Sequence, residues 1–224
     1  MGRLRRRPGM EDALRRFPGQ VVILDDAYRL KGIWHEFFSQ QGPIFVELGT
    51  GKGQFLRSMA KLHPETCFIG MEREPGVLLQ AVRKADELQL KNLKFVLCDV
   101  QNLPNVFGPG EIDGLYIHFC DPWPKSRHAK RRLTHADFLA AYKSVLSPRG
   151  FLRFKTDNRE LFAYSLSSFA EAGMELLQVS EDLHAGAIEP AGCVTEYEAK
   201  FSAAGLAVCY CEARFTTPDK EAAV

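Results

Sequence analysis

The chain has 224 residues, 46% of them hydrophobic, which suits one substantial core in a single domain. With 29 Lys and Arg against 28 Asp and Glu the formal net charge is +1, so a polyanionic partner must meet a local patch, not a generally basic surface. No apolar run approaches the roughly 20 residues that span a bilayer, and six cysteines without a CxxC pair or a histidine at ligand spacing predict no metal site and fit a reducing cytoplasm.

Residues 1–26 read as a flexible basic arm carrying Arg3, Arg5, Arg6, Arg7, Arg15 and Arg16. The arm lacks the apolar stretch of a secretory signal, and Glu11 and Asp12 without serine argue against a transit peptide. Two readings of it stay open, a strap that helps hold nucleic acid and an inert tail. Residues 27–217 predict one domain, and 218–224 a tail.

Helical spacing over 27–39 offers Trp34, Phe37 and Phe38 to one face, and Gly42-Pro43 stops it. Residues 44–48 predict a strand, followed by a glycine turn and a helix over 54–62. A second unit repeats the scheme, with a strand over 67–71 and a helix from Pro75 to Leu88. A third strand spans 93–98, a Pro/Gly loop 100–110, and a fourth strand 112–120. Beyond a basic loop, Thr134 or His135 opens a helix; a strand over 151–155, a helix over 158–172 and strands over 175–179 and 206–215 complete the pattern. The strand-helix alternation predicts an α/β fold, a doubly wound, mostly parallel sheet of seven strands.

Ligands of such sheets sit beyond the carboxyl ends of the strands, and acids recur there: Glu47, Glu72, Asp99, Asp121 and Asp157. The turn Glu47-Leu-Gly49-Thr-Gly51-Lys-Gly53 fails the dinucleotide spacing, because Gln54 follows, and fails the P-loop pattern, because Gly53 follows Lys52. It still allows a ligand close to the backbone. Glu72 is placed for ribose hydroxyls, Asp99 for an exocyclic amine, and Glu47 for a cationic amine tail. S-adenosylmethionine answers that description.

The fourth strand ends in Asp121-Pro-Trp123-Pro, where two prolines deny the backbone ladder donors and helical continuation. Lys125, Arg127, His128, Lys130, Arg131 and Arg132 follow without a compensating carboxylate, a pattern that seeks phosphates. Trp123 stacks on a base or fills the turn. Thr195-Glu-Tyr-Glu198 has the spacing of a capping box. His118 and His128 read as structural or phosphate-facing rather than catalytic.

The segments VELGTGKGQFL, GMERE, FCDPWPKSRHAKRRL, FKTDN and TEYE, spread over about 43–215, resemble the single-chain bacterial tRNA (guanine-N7)-methyltransferases, Rossmann-like class I enzymes. The first forty residues carry no part of the resemblance, and Ser126 and Ala129 stand where the family more often has a basic residue or His. The resemblance implies methyl transfer from S-adenosylmethionine to N7 of a variable-loop guanosine in tRNA, leaving S-adenosylhomocysteine, without metal. It implies a donor site of Glu47, Gly49, Gly51, Glu72, Asp99 and Asp121, with Asp121 also catalytic. Lys125, Asp157, Thr195, Glu196, Tyr197 and Glu198 would contact substrate, and Arg127, His128, Lys130, Arg131 and Arg132 would lie along the RNA. For Glu198 a capping role stands beside this, and for Asp157 a helix N-cap. The expected partner is tRNA, with no membrane and no obligatory protein, the enzyme acting as a monomer or homodimer in the cytoplasm. Two rivals stay open, an amino-methyltransferase of adenine or cytosine and a non-catalytic RNA-binding subunit.

Overall fold

The computed structural model describes residues 9–38, 40–183, 185, 198 and 206–216. Its strands are β1 (Val21–Ile23), β2 (Ile44–Leu48), β3 (Cys67–Glu72), β4 (Leu93–Leu97), β5 (Ile112–His118), β6 (Leu146–Thr156), β7 (Met174–Ser180) and β8 (Cys209–Phe215). Its helices are α1 (Met10–Leu14), α2 (Leu24–Ala27), α3 (Trp34–Phe38), α4 (Gln54–Leu62), α5 (Pro75–Glu87), α6 (Leu103–Val106), α7 (Ala136–Val145) and α8 (Arg159–Glu171). One eight-stranded sheet runs β1-β4-β3-β2-β5-β6-β8-β7. Neighbours are parallel except that β8 is antiparallel to β6 and β7.

Strand alternation divides the apolar side chains between two faces. Val46 of β2 and Ile69 of β3 meet Trp34 of α3, Phe138 of α7 and Phe162 of α8 on one. Phe68, Phe95 and Tyr116 meet Leu14 of α1, Leu56 of α4 and Leu78 of α5 on the other. Both faces are therefore covered, as a near-continuous apolar parallel sheet requires.

The eighth strand corrects the expected seven, and it comes from the stretch expected to be a flexible arm. Val21 to Ile23 pair in parallel with Phe95 to Leu97, and Leu14 and Val22 are buried. Leu14, Val21 and Val22 thus tie this stretch to the core, whereas Arg3, Arg5, Arg6 and Arg7 lie outside the described residues. The helix expected over 27–39 is interrupted. Gly32 takes φ 83°, and the Glu111 carboxylate accepts from the N–H groups of Gly32 (2.9 Å) and Trp34 (3.0 Å), which restarts the chain as α3. The fourth expected strand stops at His118, not Cys120, because Phe119 turns to φ 49°. No helix among the described residues is long and apolar enough to cross a membrane.

Candidate active site

The strand order reverses between β2 and β5, since the chain proceeds from β2 to β3 on one side and from β5 to β6 on the other. Carboxyl ends part at such a point and leave a crevice. A cleft of about 680 Å³ opens there, and Glu47, Gly49, Gly51, Glu72, Asp99 and Asp121 all line it. Four of the five acids placed by sequence at strand ends thus share one cavity, and Asp157 is not among its lining residues.

The turn after β2 is shaped by glycine. Gly49, Gly51 and Gly53 have φ of 77°, 58° and 66°, a region costly to residues with a Cβ. Nothing lies within 4 Å of a Cβ built on Gly49 or Gly51, so the backbone is open to a ligand. Gly53 instead opens α4 with its Cα side against Ala81 and Phe95.

Each inner acid is already held. Glu47 is buried; its Oε2 accepts from Thr50 Oγ1 at 2.6 Å and its Oε1 lies 3.1 Å from His118 Nδ1. Burial lowers the His118 pKa, against the hydrogen bond and charge of Glu47, so near neutral pH the ring is uncharged and donates through Nδ1 to the carboxylate. Glu72 accepts from three backbone N–H groups, those of Gly51 (3.1 Å), Arg73 (2.9 Å) and Glu74 (3.0 Å). Desolvation nevertheless raises its pKa, so the loss of water outweighs those donors. About one of its roughly four acceptor positions stays open, on Oε2. Asp99 accepts from Gln101 N at 3.0 Å and faces the Arg73 guanidinium at 3.9 Å.

Asp121 differs. It is exposed at the cleft rim, and its carboxylate has no hydrogen-bond or ion-pair partner among the described residues. The loop that carries it is wound tightly. Trp123 has φ 43°, an uncommon conformation for a bulky residue, and Arg132 Nε and Nη2 both donate to the Trp123 carbonyl (3.4 and 3.1 Å). The Arg131 guanidinium stands 4.9 Å over the indole ring, with the His128 ring edge-on at 5.8 Å. Trp123 and Arg131 line the cleft with Asp121.

The cations expected along RNA therefore divide. Arg127 and Lys130, within a 3-10 turn Ser126–Arg131, and Lys125 just before it are exposed and outside the cleft lining. Arg132 is turned inward to the loop and lies 4.3 Å over Tyr164. Asp157 is exposed after β6 and caps nothing; Asn158 caps α8, accepting from Leu161 N at 2.7 Å. Glu198 is buried and pairs with Lys155 Nζ at 2.9 Å, both side chains almost fully removed from water. Thr195, Glu196 and Tyr197 lie outside the described residues. Thr50, His118 and Lys155 were not singled out by sequence as site residues; only the spacing of Thr50 between two glycines hinted at its place.

The cleft and its acids fit a nucleoside with a cationic tail. No group of His, Cys, Asp or Glu among the described residues could hold a metal ion. A family described as "Putative methyltransferase" matches residues 41–211. The chain is 49% identical over 218 residues to a tRNA (guanine-N(7)-)-methyltransferase of Halalkalibacterium halodurans, with 97% of this chain and 98% of the relative covered. A Streptococcus mutans protein of the same name is 46% identical over 213 residues, covering 95% and 100%. These alignments reach into the first forty residues, where the motifs gave no resemblance. Among solved structures, the 16S rRNA methyltransferase KamB aligns with a TM-score of 0.63 at 15% identity, covering 83% of this chain and 94% of that one. A SAM-dependent methyltransferase from Aquifex aeolicus aligns at 0.55 and 15%, covering 92% and 98%. Those two likenesses are of fold alone.

Proposed function

The chain belongs to the tRNA (guanine-N7-)-methyltransferase family, and from that premise we propose that the guanosine it methylates lies in the variable loop of tRNA and that Asp121 is its catalytic residue. The enzyme transfers a methyl group from S-adenosylmethionine to guanine N7, giving 7-methylguanosine. The observation that carries the assignment of Asp121 is its carboxylate, free of described partners on the rim of a cleft whose inner acids are all engaged.

Bound in the cleft, S-adenosylmethionine supplies an electrophilic sulfonium methyl. Glu47 would hold its amine end, Glu72 its ribose and Asp99 its adenine amine. Guanine N7 is an unprotonated acceptor, so no base has to remove a proton before attack. What the chain must supply is alignment, worth roughly 7–11 kcal/mol when the reacting atoms are held in line. Asp121 orients the purine and opposes the positive charge that develops on it. Lys125, Asp157 and the segment Thr195 to Tyr197 contact the substrate, and Glu198, buried against Lys155, acts from behind that surface, while Arg127, His128, Lys130 and Arg131 lie along the RNA backbone. The enzyme works in the cytoplasm as a monomer or homodimer.

Incubation with unmodified bulk tRNA and methyl-labelled donor, followed by nucleoside identification and mapping, tests this. The label should appear as 7-methylguanosine in the variable loop. Label on adenine N6 or cytosine N4 would mark an amino-methyltransferase instead. Asp121→Ala should retain binding of donor product and tRNA while turnover falls at least about 100-fold, the scale of a lost preorganised charge; unchanged turnover removes Asp121 from the role.

A further inference from the structure

We propose that His118 is a positioning residue for the methyl donor: with Thr50 it fixes the Glu47 carboxylate across the crevice between β2 and β5, in a buried polar row that Lys155 and Glu198 complete. The inference rests on the reading of the cleft as the donor site.

The backbone link between β2 and β5 ends at the pair Glu47 and Tyr116. Beyond it the strands diverge, and the crevice is crossed by side chains. His118 Nδ1 reaches Glu47 Oε1 at 3.1 Å, and Thr50 Oγ1 donates to Oε2 at 2.6 Å, so each carboxylate oxygen has one anchor. The imidazole cannot swing away, because Phe55 of α4 packs edge-on against it at 4.4 Å and Tyr116 lies at 5.6 Å. The Thr50 anchor also has a fixed seat. Its Cγ2 would stand 2.8 Å from a Cβ on Gly70, so the neighbouring strand has a glycine where any side chain would displace it.

On the other flank Lys155 of β6 is the register partner of His118. Its side chain is 4% exposed and that of Glu198 0%, with 2.9 Å between them. A pair so far from water is costly unless its geometry is well satisfied, and removing one partner leaves an uncompensated buried charge. Glu47 of β2, His118 of β5 and Lys155 of β6 thus stand side by side at the ends of three adjacent strands. The Glu47 carboxylate, anchored at both oxygens by neutral side chains at the cleft wall, is complementary to a ligand cation, and the amine end of the donor is one.

The test uses the full-length enzyme with S-adenosylhomocysteine as the calorimetric ligand, which keeps the amine end, and a methylation assay in which donor and tRNA are varied separately. His118→Phe preserves the ring contact with Phe55 but offers no N–H. Its Kd for the ligand and KM for the donor should rise about tenfold, the scale of one lost hydrogen bond to a charged group, while the tRNA KM stays unchanged. His118→Asn places an N–H at the same δ position and should recover binding to within about threefold of wild type. A Phe variant that binds like wild type, or an Asn variant no better than Phe, overturns the proposal. If neither variant folds, Thr50→Val, which removes the opposite anchor, should raise the donor KM with the tRNA KM unmoved; an unmoved donor KM overturns it as well. Failure of the wild-type chain to bind S-adenosylhomocysteine would instead overturn the donor-site reading itself.

Discussion

Cys98 and Cys120 sit beside two of the cleft acids, and both line the cavity. Burial, followed by the charge of the adjacent Asp99 or Asp121, pushes each thiol up to about 12. The thiolate is the reactive form, so at pH 7.5 its share is on the order of 10⁻⁴ or less. Native enzyme treated with iodoacetamide at that pH should therefore keep its activity, with both cysteines unmodified on peptide mapping until the protein is denatured. Prompt alkylation of either one would show a more open and more polar cleft wall. Single residues were unevenly legible in the sequence. Glu47, Glu72 and Asp99 could be placed because each follows an apolar run directly, and local spacing puts it at a strand end. His118 could not, because it lies within an apolar run and its partner Glu47 is reached only through strand pairing. For Asp157 the sequence offered a helix N-cap, but side-chain geometry gives that cap to Asn158, whose Oδ1 accepts from Leu161 N.

At the scale of elements, the loop between β5 and α7 decides whether Asp121 reaches a substrate. Phe119 and Trp123 both hold left-handed backbones, each costing about 1–3 kcal/mol, which persists only where surrounding bonds enforce it. Phe119 N donates to Lys155 O at 2.9 Å, and Arg132 grips the Trp123 carbonyl with two nitrogens. The sequence showed six adjacent cations and suggested one shared role on RNA. The fold separates them, because the proline-bounded turn brings the last arginine back onto its own backbone. A lysine ammonium cannot reproduce a planar guanidinium that donates twice while stacked on Tyr164. Arg132→Lys should accordingly lower turnover about tenfold with the salt dependence of tRNA binding unchanged. Arg127→Ala, at an exposed position, should leave turnover at saturating tRNA intact and make the salt slope shallower by about 0.7–0.9, one phosphate contact. The reverse assignment of the two effects would place Arg132 on the RNA after all.

At the scale of the molecule, the strand-helix alternation was readable because each parallel strand is a compact apolar run, whereas β1 is three residues long and gains its place only by pairing with β4. The same scale governs how tRNA is met. A chain with net charge +1 has no general attraction for a polyanion, and its bulk charge neither accelerates nor strengthens association much. Among the described residues the exposed Lys125, Arg127 and Lys130 with Arg131 at the cleft rim form the patch for RNA, so about four phosphates are neutralised when the RNA docks on it. Counterion release then predicts that log affinity falls with log salt at a slope of about −3. Titration of unmodified tRNA at several salt concentrations measures it. A nearly flat dependence would move the RNA off this patch. A much steeper slope would bring in further cations, and a truncation of residues 1–8, with Arg3, Arg5, Arg6 and Arg7, would then return the slope to about −3 if the N-terminal arginines supplied the excess.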